Sequence, residues 1–211
     1  MPKPTICIPK PEFEEKIKEA LTGFKKVWRS DSAVYEELCF CLLTPQSSAR
    51  QAMKSITLLK EHDLLDKGVA FQKEPLVKNV RFFRTKSKRL EEAQSKFAKH
   101  KIKKMLIENG LPEDALKCRE FLVKEVNGYG MKEASHFLRN IGFGEKVAIL
   151  DRHILKNLVK CKVITETPKH MTKKHYLEIE EKMRKFCEKH KMDFAELDLI
   201  FWSNEAGDVL K

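Results

Sequence analysis

The chain has 211 residues, of which 42% are hydrophobic and 35% are charged, and its formal net charge is +11. This composition allows a buried core, and no apolar run approaches the roughly 18 residues of a membrane-spanning helix. The positive excess favours a polyanionic partner, either nucleic acid or a membrane surface, although a heavily solvated surface is also rich in charge.

The first residues and the cysteines bear on where the protein works. The N-terminal stretch has two prolines and only a short apolar segment, so we expect no signal peptide and a cytoplasmic protein, nucleoid-associated if prokaryotic. The six cysteines show no CxxC pair and no Cys/His spacing typical of zinc. Cys39, Cys41 and Cys118 lie in helical apolar patterns, which predicts buried free thiols.

Spacing typical of α-helices recurs along the whole chain, whereas strand-like alternation is scarce. An apolar stripe from Phe13 to Trp28 predicts a first helix, and residues 30–32 offer an N-cap to a second helix that ends at Leu43. Residues 44–47 break the pattern. Further helices are predicted at 49–59, 86–98, 101–109, 114–126, 131–141, 152–160, 172–189 and 193–203. The sequence therefore predicts an all-α protein of about ten helices, without internal repeats or flexible linkers.

Residues 73–104 form a basic stretch that contains twelve Lys/Arg and three Glu. Its centre, residues 81–89, places phenylalanines among the basic side chains, which suits a phosphate backbone and a stacking face. The alternative is a solvated helix face whose phenylalanines belong to the core. That alternative is favoured for any single lysine, whereas nucleic acid contact is favoured for the stretch as a whole.

Residues 114–141 have the pattern of two helices joined by a tight turn at residues 127–130 (NGYG). Gly128 and Gly130 can both take positive φ in such a turn. The second helix would present free N–H groups at its positive end, so backbone amides could approach a phosphate without regard to base sequence. This segment is interpreted as a helix–hairpin–helix motif, with an ordinary αα-hairpin as the alternative.

Two residues near the hairpin could carry chemistry. Lys132 falls in the first turn of the second helix, and Asp151 follows nineteen residues later, where it can N-cap the next helix. An uncharged lysine amine can attack the anomeric carbon of a deoxyribose, expel the base and form a Schiff base. A carboxylate can stabilise the developing positive charge or move the proton. The alternative is a surface lysine and an aspartate that serves only as a cap.

The segments GYGMKEASHFLRN (128–140) and ILDRHIL (149–155) resemble the short, second class of 8-oxoguanine DNA glycosylase/lyase, found in archaea and some bacteria. The resemblance runs from about Glu37 to the C-terminus and lies within the helix–hairpin–helix DNA glycosylase superfamily. It implies two helical lobes around a DNA-binding cleft, with residues 1–211 forming one glycosylase unit and the hairpin motif at about 114–141. It also implies a bifunctional enzyme that excises 8-oxoguanine through a lysine Schiff base and nicks the strand by β-elimination.

The resemblance assigns roles to residues around the hairpin. Lys132 matches the Schiff-base nucleophile, and Asp151 matches the essential aspartate. Gly128 and Gly130 match the hairpin glycines that lie against the phosphates, and His153 matches a position near the DNA backbone. These five residues are the expected catalytic and backbone-binding positions.

Four further positions are expected to recognise the lesion or the opened duplex. Phe82 matches an aromatic residue that lines the damaged-base pocket, and Trp202 and the terminal Lys211 match residues that help to recognise 8-oxoguanine. Gln46 falls where the superfamily inserts a side chain to fill the gap left by the flipped nucleotide. The alternatives are a core tryptophan for Trp202, a frayed end for Lys211 and a helix-capping loop residue for Gln46.

Two features depart from the relatives in the superfamily. The short class more usually has Ala-Asn near Pro45-Gln46, which leaves the preference for the opposite base open. An iron–sulfur cluster, common in the endonuclease III branch, needs four closely spaced cysteines near the C-terminus, which Cys161 and Cys187 cannot supply. We therefore expect no metal and no required cofactor.

The expected partner is double-stranded DNA that contains 8-oxoguanine, and we expect a monomer that does not bind membranes. One alternative is the same chemistry on oxidised pyrimidines or abasic sites. A second is a non-catalytic helix–hairpin–helix DNA-binding protein, which the co-occurrence of Lys132 and Asp151 argues against. A third, a basic helical protein on anionic membranes, lacks a stretch that combines a wide apolar face with a long cationic one.

Overall fold

The computed structural model describes Pro4, residues 7–98 and residues 101–209, and all regular secondary structure in these residues is helical. A four-residue α-helix, Ala70–Lys73, is followed at once by a 3-10 helix, Glu74–Val77. The α-helices in the described residues are α1 (Pro11–Val27), α2 (Asp31–Leu43), α3 (Ala49–Glu61), α4 (Ala70–Lys73), α5 (Phe83–Phe97), α6 (Lys101–Glu108), α7 (Ala115–Glu125), α8 (Met131–Asn140), α9 (Arg152–Lys160), α10 (Lys173–His190) and α11 (Phe194–Ala206).

The all-α prediction is confirmed, and each predicted helix is present with its ends within about one turn of the predicted bounds. Helix α4 and the 3-10 helix were not predicted, because segments of four residues are too short to show a periodic pattern. Among the described residues, none of the helices combines the length and the apolar composition that crossing a membrane would require.

The hydrophobic core divides into two large clusters that meet between Val147 and Ala148. The first cluster is built from residues 34–147 and includes α2, α3 and α5 to α8, whereas the second unites α9, α10 and α11 with Cys7. A smaller cluster packs α1 against α11. The chain therefore folds as two helical lobes, with α8 at the end of one and Asp151 at the start of the other.

The predicted buried thiols are confirmed. Cys39, Cys41 and Cys118 are completely buried, and none of the three forms a disulfide. Burial raises the pKa of Cys39 and of Cys118 to about 12, which keeps both protonated and poorly reactive near neutral pH. They serve as small apolar groups in the first lobe.

Candidate active site and DNA-binding surface

The turn between α7 and α8 is fixed to the first lobe by Tyr129. Its side chain is buried, and its hydroxyl donates a 2.9 Å hydrogen bond to the carbonyl of Leu38 in α2. Gly128, one residue earlier, has φ +98°, and a Cβ there would lie 2.7 Å from Cδ of Arg89. A side chain at position 128 would therefore be strained by its backbone and would displace Arg89 from the turn.

Gly130 differs from Gly128, and the prediction that it takes positive φ was wrong. It is the N-cap of α8, with φ −107° and ψ −172°, a conformation open to any residue. A Cβ there would approach Glu133 Oε2 no closer than 3.4 Å. Of the two hairpin glycines, only Gly128 has a left-handed backbone, because Gly130 already serves as the N-cap of α8.

A small cavity lies where the two lobes meet, next to α8. Three of its lining residues, Lys132, His136 and Arg139, share one face of α8 because they are spaced four and three residues apart. Its volume is about 140 Å³, below the range of about 300–1,000 Å³ for drug-sized ligands, so it suits a group as small as one base. The cavity is lined by Thr44, Ser47, Ala49, Lys132, His136, Arg139, Ile149, Asp151, Asp198 and Trp202.

Lys132 lies in the first turn of α8 with 30% of its side chain exposed, and it lines the same cavity as Asp151. The structure thus brings together the two residues that the sequence predicted to act together. The ammonium nitrogen is 2.9 Å from Oε1 of Glu133, an ion pair that the sequence analysis did not single out. The adjacent acidic residue was its only sequence signal.

Asp151 caps α9, as predicted. Its Oδ1 accepts hydrogen bonds from the backbone N–H groups of His153 at 2.8 Å and Ile154 at 2.9 Å. Both bonds use one carboxylate oxygen, so Oδ2 takes no part in the cap. The carboxylate is therefore held by its helix while it faces the cavity that contains Lys132.

A buried network fixes the extended segment that leads to Asp151. Tyr176 donates to the carbonyl of Ala148 at 2.5 Å and accepts from the N–H of Leu150 at 3.3 Å. Glu180 Oε1 accepts from the N–H of Ala148 at 2.7 Å, and both oxygens of Glu180 accept from the guanidinium of Arg119 at 2.5 and 2.8 Å. Since Arg119 belongs to α7, this network also fastens the second lobe to the hairpin motif.

Arg139 and Asp198 form a second buried pair in the wall of the cavity. Nη2 of Arg139 lies 3.4 Å from Oδ2 of Asp198, and the guanidinium stacks over the ring of Phe24 at 4.7 Å. Burial raises the pKa of Asp198 to about 6, an effect that Arg139 opposes and the nearby Asp151 reinforces. Neither residue was predicted from the sequence, although an aspartate within the largely apolar helix α11 is unusual.

His153 and Trp202 connect the first turn of α9 to α11. Their rings meet edge to face, with centroids 5.3 Å apart, and Nδ1 of His153 lies 2.8 Å from Oε2 of Glu205. Trp202 also lines the cavity, and its buried Nε1 has no hydrogen-bond acceptor among the described residues. Lys211, predicted to act with it, lies outside the described residues.

Gln46 and Phe82 occupy two exposed turns, and both have left-handed backbones, with φ +55° and +58°. Gln46 stands at the tip of the turn between α2 and α3, a position compatible with insertion into a duplex. Phe82 is 55% exposed beneath the guanidinium of Arg81, 5.3 Å from its ring centroid, and is not among the residues that line the cavity. The structure therefore does not bring Phe82 to the predicted pocket.

Only part of the basic stretch, residues 73–104, is exposed at the surface of the protein. Lys73 and Lys86 are 0% and 1% exposed, so these two lysines belong to neither a phosphate-binding face nor a solvated one. Their ammonium groups donate to oxygens of neighbouring loops. By contrast, Arg89 reaches the hairpin at Gly128, so α5 does place a basic side chain beside the predicted phosphate site.

Comparisons with known proteins identify the family. Residues 17–192 match the family model of the helix–hairpin–helix type described as 8-oxoguanine DNA glycosylase. The 8-oxoguanine DNA glycosylase/AP lyase of Fusobacterium nucleatum is 49% identical over 203 residues, which cover 95% of this chain and 93% of the relative. The chain belongs to the 8-oxoguanine DNA glycosylase family. The family resemblance predicted from the hairpin and the aspartate segment is thereby confirmed.

Other members of the 8-oxoguanine DNA glycosylase family share its fold. The Methanocaldococcus jannaschii 8-oxoguanine glycosylase/lyase has been crystallised in complex with a 15mer DNA containing 8-oxoguanine. Its sequence is 34% identical to this chain, and the two structures superpose with a TM-score of 0.83 over 95% of this chain and 94% of that one. The 8-oxoguanine DNA glycosylase of Thermotoga maritima is 29% identical, with a TM-score of 0.83 and coverages of 95% and 93%. The two-lobed helical architecture is therefore that of the family.

Proposed function

We propose that this chain is a bifunctional enzyme that excises 8-oxoguanine from double-stranded DNA and then nicks the strand. Its relatives from F. nucleatum and M. jannaschii are named 8-oxoguanine DNA glycosylase/AP lyase, and one M. jannaschii crystal structure contains DNA with 8-oxoguanine. The observation that carries the proposal is the cavity shared by Lys132 and Asp151 beside the hairpin motif. An amine and a carboxylate at one small cavity are the groups that Schiff-base excision requires.

Lys132 acts as the nucleophile. After its ammonium loses a proton, Nζ attacks C1′ of the flipped nucleotide, and the electron pair of the glycosidic bond leaves with the base, which takes up a proton. As the nitrogen forms a double bond to C1′, the C1′–O4′ bond breaks and the proton lost from nitrogen passes to O4′, which gives the ring-opened Schiff base. Loss of a C2′ proton then breaks the C3′–O bond and nicks the strand. Asp151 faces the positive charge that develops on the sugar and stabilises it.

The hairpin and its neighbours hold the DNA backbone. The N–H groups at the start of α8 are free to face a phosphate, and the missing side chain of Gly128 leaves room for Arg89 to pack against the turn, where its guanidinium can pair with the same phosphate. Gly130 also contributes through its missing side chain, although its backbone is ordinary. His153, at the start of α9, is the third residue that contacts the DNA backbone.

The lesion and the opened duplex are contacted from α11 and from the two exposed turns. Trp202 offers an indole N–H without an acceptor among the described residues, and with the terminal Lys211 it contacts the flipped base. Gln46 fills the space that the base has left and bonds the orphaned partner. Phe82, which lies outside the cavity, is exposed for contact with the duplex rather than with the flipped base. The enzyme acts as a monomer in the cytoplasm, on the DNA itself.

Borohydride reduction with an 8-oxoguanine duplex tests the nucleophile, because it reduces a Schiff base to a stable covalent complex. The wild-type chain should be trapped, whereas Lys132→Gln should not. Lys174→Gln is the matched control, since it removes the same charge from a lysine whose side chain is 84% exposed on α10. A complex that persists in Lys132→Gln would overturn the assignment.

Equal excision of oxidised pyrimidines by the wild type would favour that substrate class instead, and binding without cleavage would favour a non-catalytic DNA-binding protein.

A further inference from the structure

Lys86 is a buried lysine that no step of the proposed chemistry uses. It projects from α5 beneath the turn that joins α2 to α3, and only 1% of it is exposed. Its ammonium donates to the carbonyl of Leu43 at 2.6 Å, to the carbonyl of Pro45 at 2.8 Å and to Oγ of Ser47 at 3.1 Å. All three ammonium donors are therefore matched by acceptors of one short turn.

These acceptors surround Gln46. Pro45 and Ser47 flank it in the chain, while Leu43 is the last residue of α2, whose carbonyl would otherwise lack a helical partner. Ser47 also lines the cavity that contains Lys132. A single cation thus fixes both neighbours of the exposed tip and one wall of the cavity.

The same hydroxyl group connects the second exposed turn. Oγ of Ser47 accepts a 2.9 Å hydrogen bond from the backbone N–H of Arg81, directly before Phe82. The Gln46 turn and the Phe82 turn therefore share one fastening point, at which Lys86 and Arg81 donate to one oxygen. Loss of Lys86 would loosen both turns while leaving the hairpin in place.

The charge environment of Lys86 is unfavourable. Burial lowers the pKa of Lys86 to about 8, and repulsion from Arg89 and Lys132 adds to the effect. Its three acceptors are neutral oxygens, so no carboxylate among them compensates the charge. The desolvation of a buried cation without a carboxylate partner is costly, so the stability of the fold alone does not explain Lys86.

We infer that Lys86 is a positioning residue for lesion capture, which holds the Gln46 turn in the conformation that enters the duplex and supports the cavity wall at Ser47. This inference rests on the proposed function, because it presupposes that a base is flipped. It assigns Lys86 to the step before chemistry. Opening of the duplex should depend on Lys86, whereas attack by Lys132 on an accessible sugar should not.

The chain offers a matched control in Lys73. It is also completely buried and also donates to two backbone carbonyls, those of Leu64 and Lys67. Those carbonyls lie away from the cavity. Burial lowers the pKa of Lys73 as it does that of Lys86, although the nearby charges of Glu91 and Asp66 oppose this effect. Lys73→Met therefore reports the general cost of removing a buried lysine from this fold.

The experiment compares the full-length wild type with Lys86→Met, Lys73→Met and Ser47→Ala in two assays. The first measures unstacking of the duplex by the fluorescence of 2-aminopurine placed beside 8-oxoguanine, a signal that needs no chemistry. The second measures borohydride trapping on a preformed abasic site in single-stranded DNA, which needs no flipping. Unfolding in urea records the stability of each variant.

Lys86→Met should weaken unstacking by roughly 10-fold or more, since hydrogen bonds to a charged group are lost, and should leave single-strand trapping within about threefold. Lys73→Met should leave both signals near wild type. Equal effects of the two substitutions on unstacking, or equal loss of both signals in Lys86→Met, would overturn the inference. If Lys86→Met does not fold, Ser47→Ala decides, and unchanged unstacking in that variant would overturn it. A wild type that unstacks DNA but is never trapped would count against the proposed function alone.

Discussion

Replacing Asp151 separates what this residue does for α9 from what it does for the chemistry. Its Oδ1 accepts two backbone N–H groups, so Asp151→Ala loses a cap worth about 1 kcal/mol. The same variant loses the interaction between a negative charge and the helix N-terminus, worth about 0.5 kcal/mol. Asp151→Asn retains a capping oxygen and loses only the second contribution. The free energy of unfolding should therefore fall by about 1.5 kcal/mol in the alanine variant and by about 0.5 kcal/mol in the asparagine variant.

Activity should follow a different order, because both variants lack the carboxylate. Single-turnover excision of 8-oxoguanine should fall by about 10² to 10⁴ in both, the usual contribution of a positioned acid or base. Asp114→Ala is the control, since Asp114 caps α7 through a 2.9 Å bond to the N–H of Lys117 and does not line the cavity. It should lose comparable stability and keep its excision rate. An asparagine variant as active as wild type would refute a chemical role for Asp151.

Two further predictions concern pH and the hairpin. Since the pKa of Asp198 is raised from 3.8 to about 6 in the folded chain, the folded state binds more protons between these values, and its stability falls as pH rises through them. Asp198→Asn removes this titration. Measured by urea unfolding, the stability of the variant relative to wild type should therefore increase by up to about 3 kcal/mol from pH 4 to 7. A difference that stays constant with pH would contradict the raised pKa of Asp198. Gly128→Ala should cost roughly 1–2 kcal/mol because of its positive φ, whereas Gly130→Ala should cost less than about 1 kcal/mol. Equal losses in thermal unfolding would show that the turn relaxes.

Much of the fold could be predicted from the sequence because most of the described helices are long and regularly patterned, and five of them begin at a Ser or Asp that caps the helix (α2, α3, α7, α9 and α11). Asp151 is the clearest case, since a cap and an apolar run mark the start of α9 wherever the rest of the chain lies. The position of Lys132 in the first turn of α8 could also be predicted, because the turn and the helix start are local in the sequence. In both cases the informative residues are neighbours in the sequence.

The residues that the sequence analysis missed depend on distant contacts. Arg139 and Asp198 meet where α8 and α11 pack together, and no pattern within either helix reveals that contact. Lys86 was assigned to a basic surface because lysine is almost never buried, and its three acceptors come from a turn some forty residues earlier. Gly130 was assigned a special backbone because a second glycine in a turn usually has one.

The joint between Val147 and Ala148 has a consequence for how the enzyme is assembled. Lys132 lies on α8, which packs into the first cluster, whereas Asp151 follows the joint and starts α9, which packs into the second. Neither half of the molecule, folded by itself, would contain both reacting groups. Excision as proposed would therefore depend on the contact between the two halves, because that contact brings the amine and the acid to one cavity.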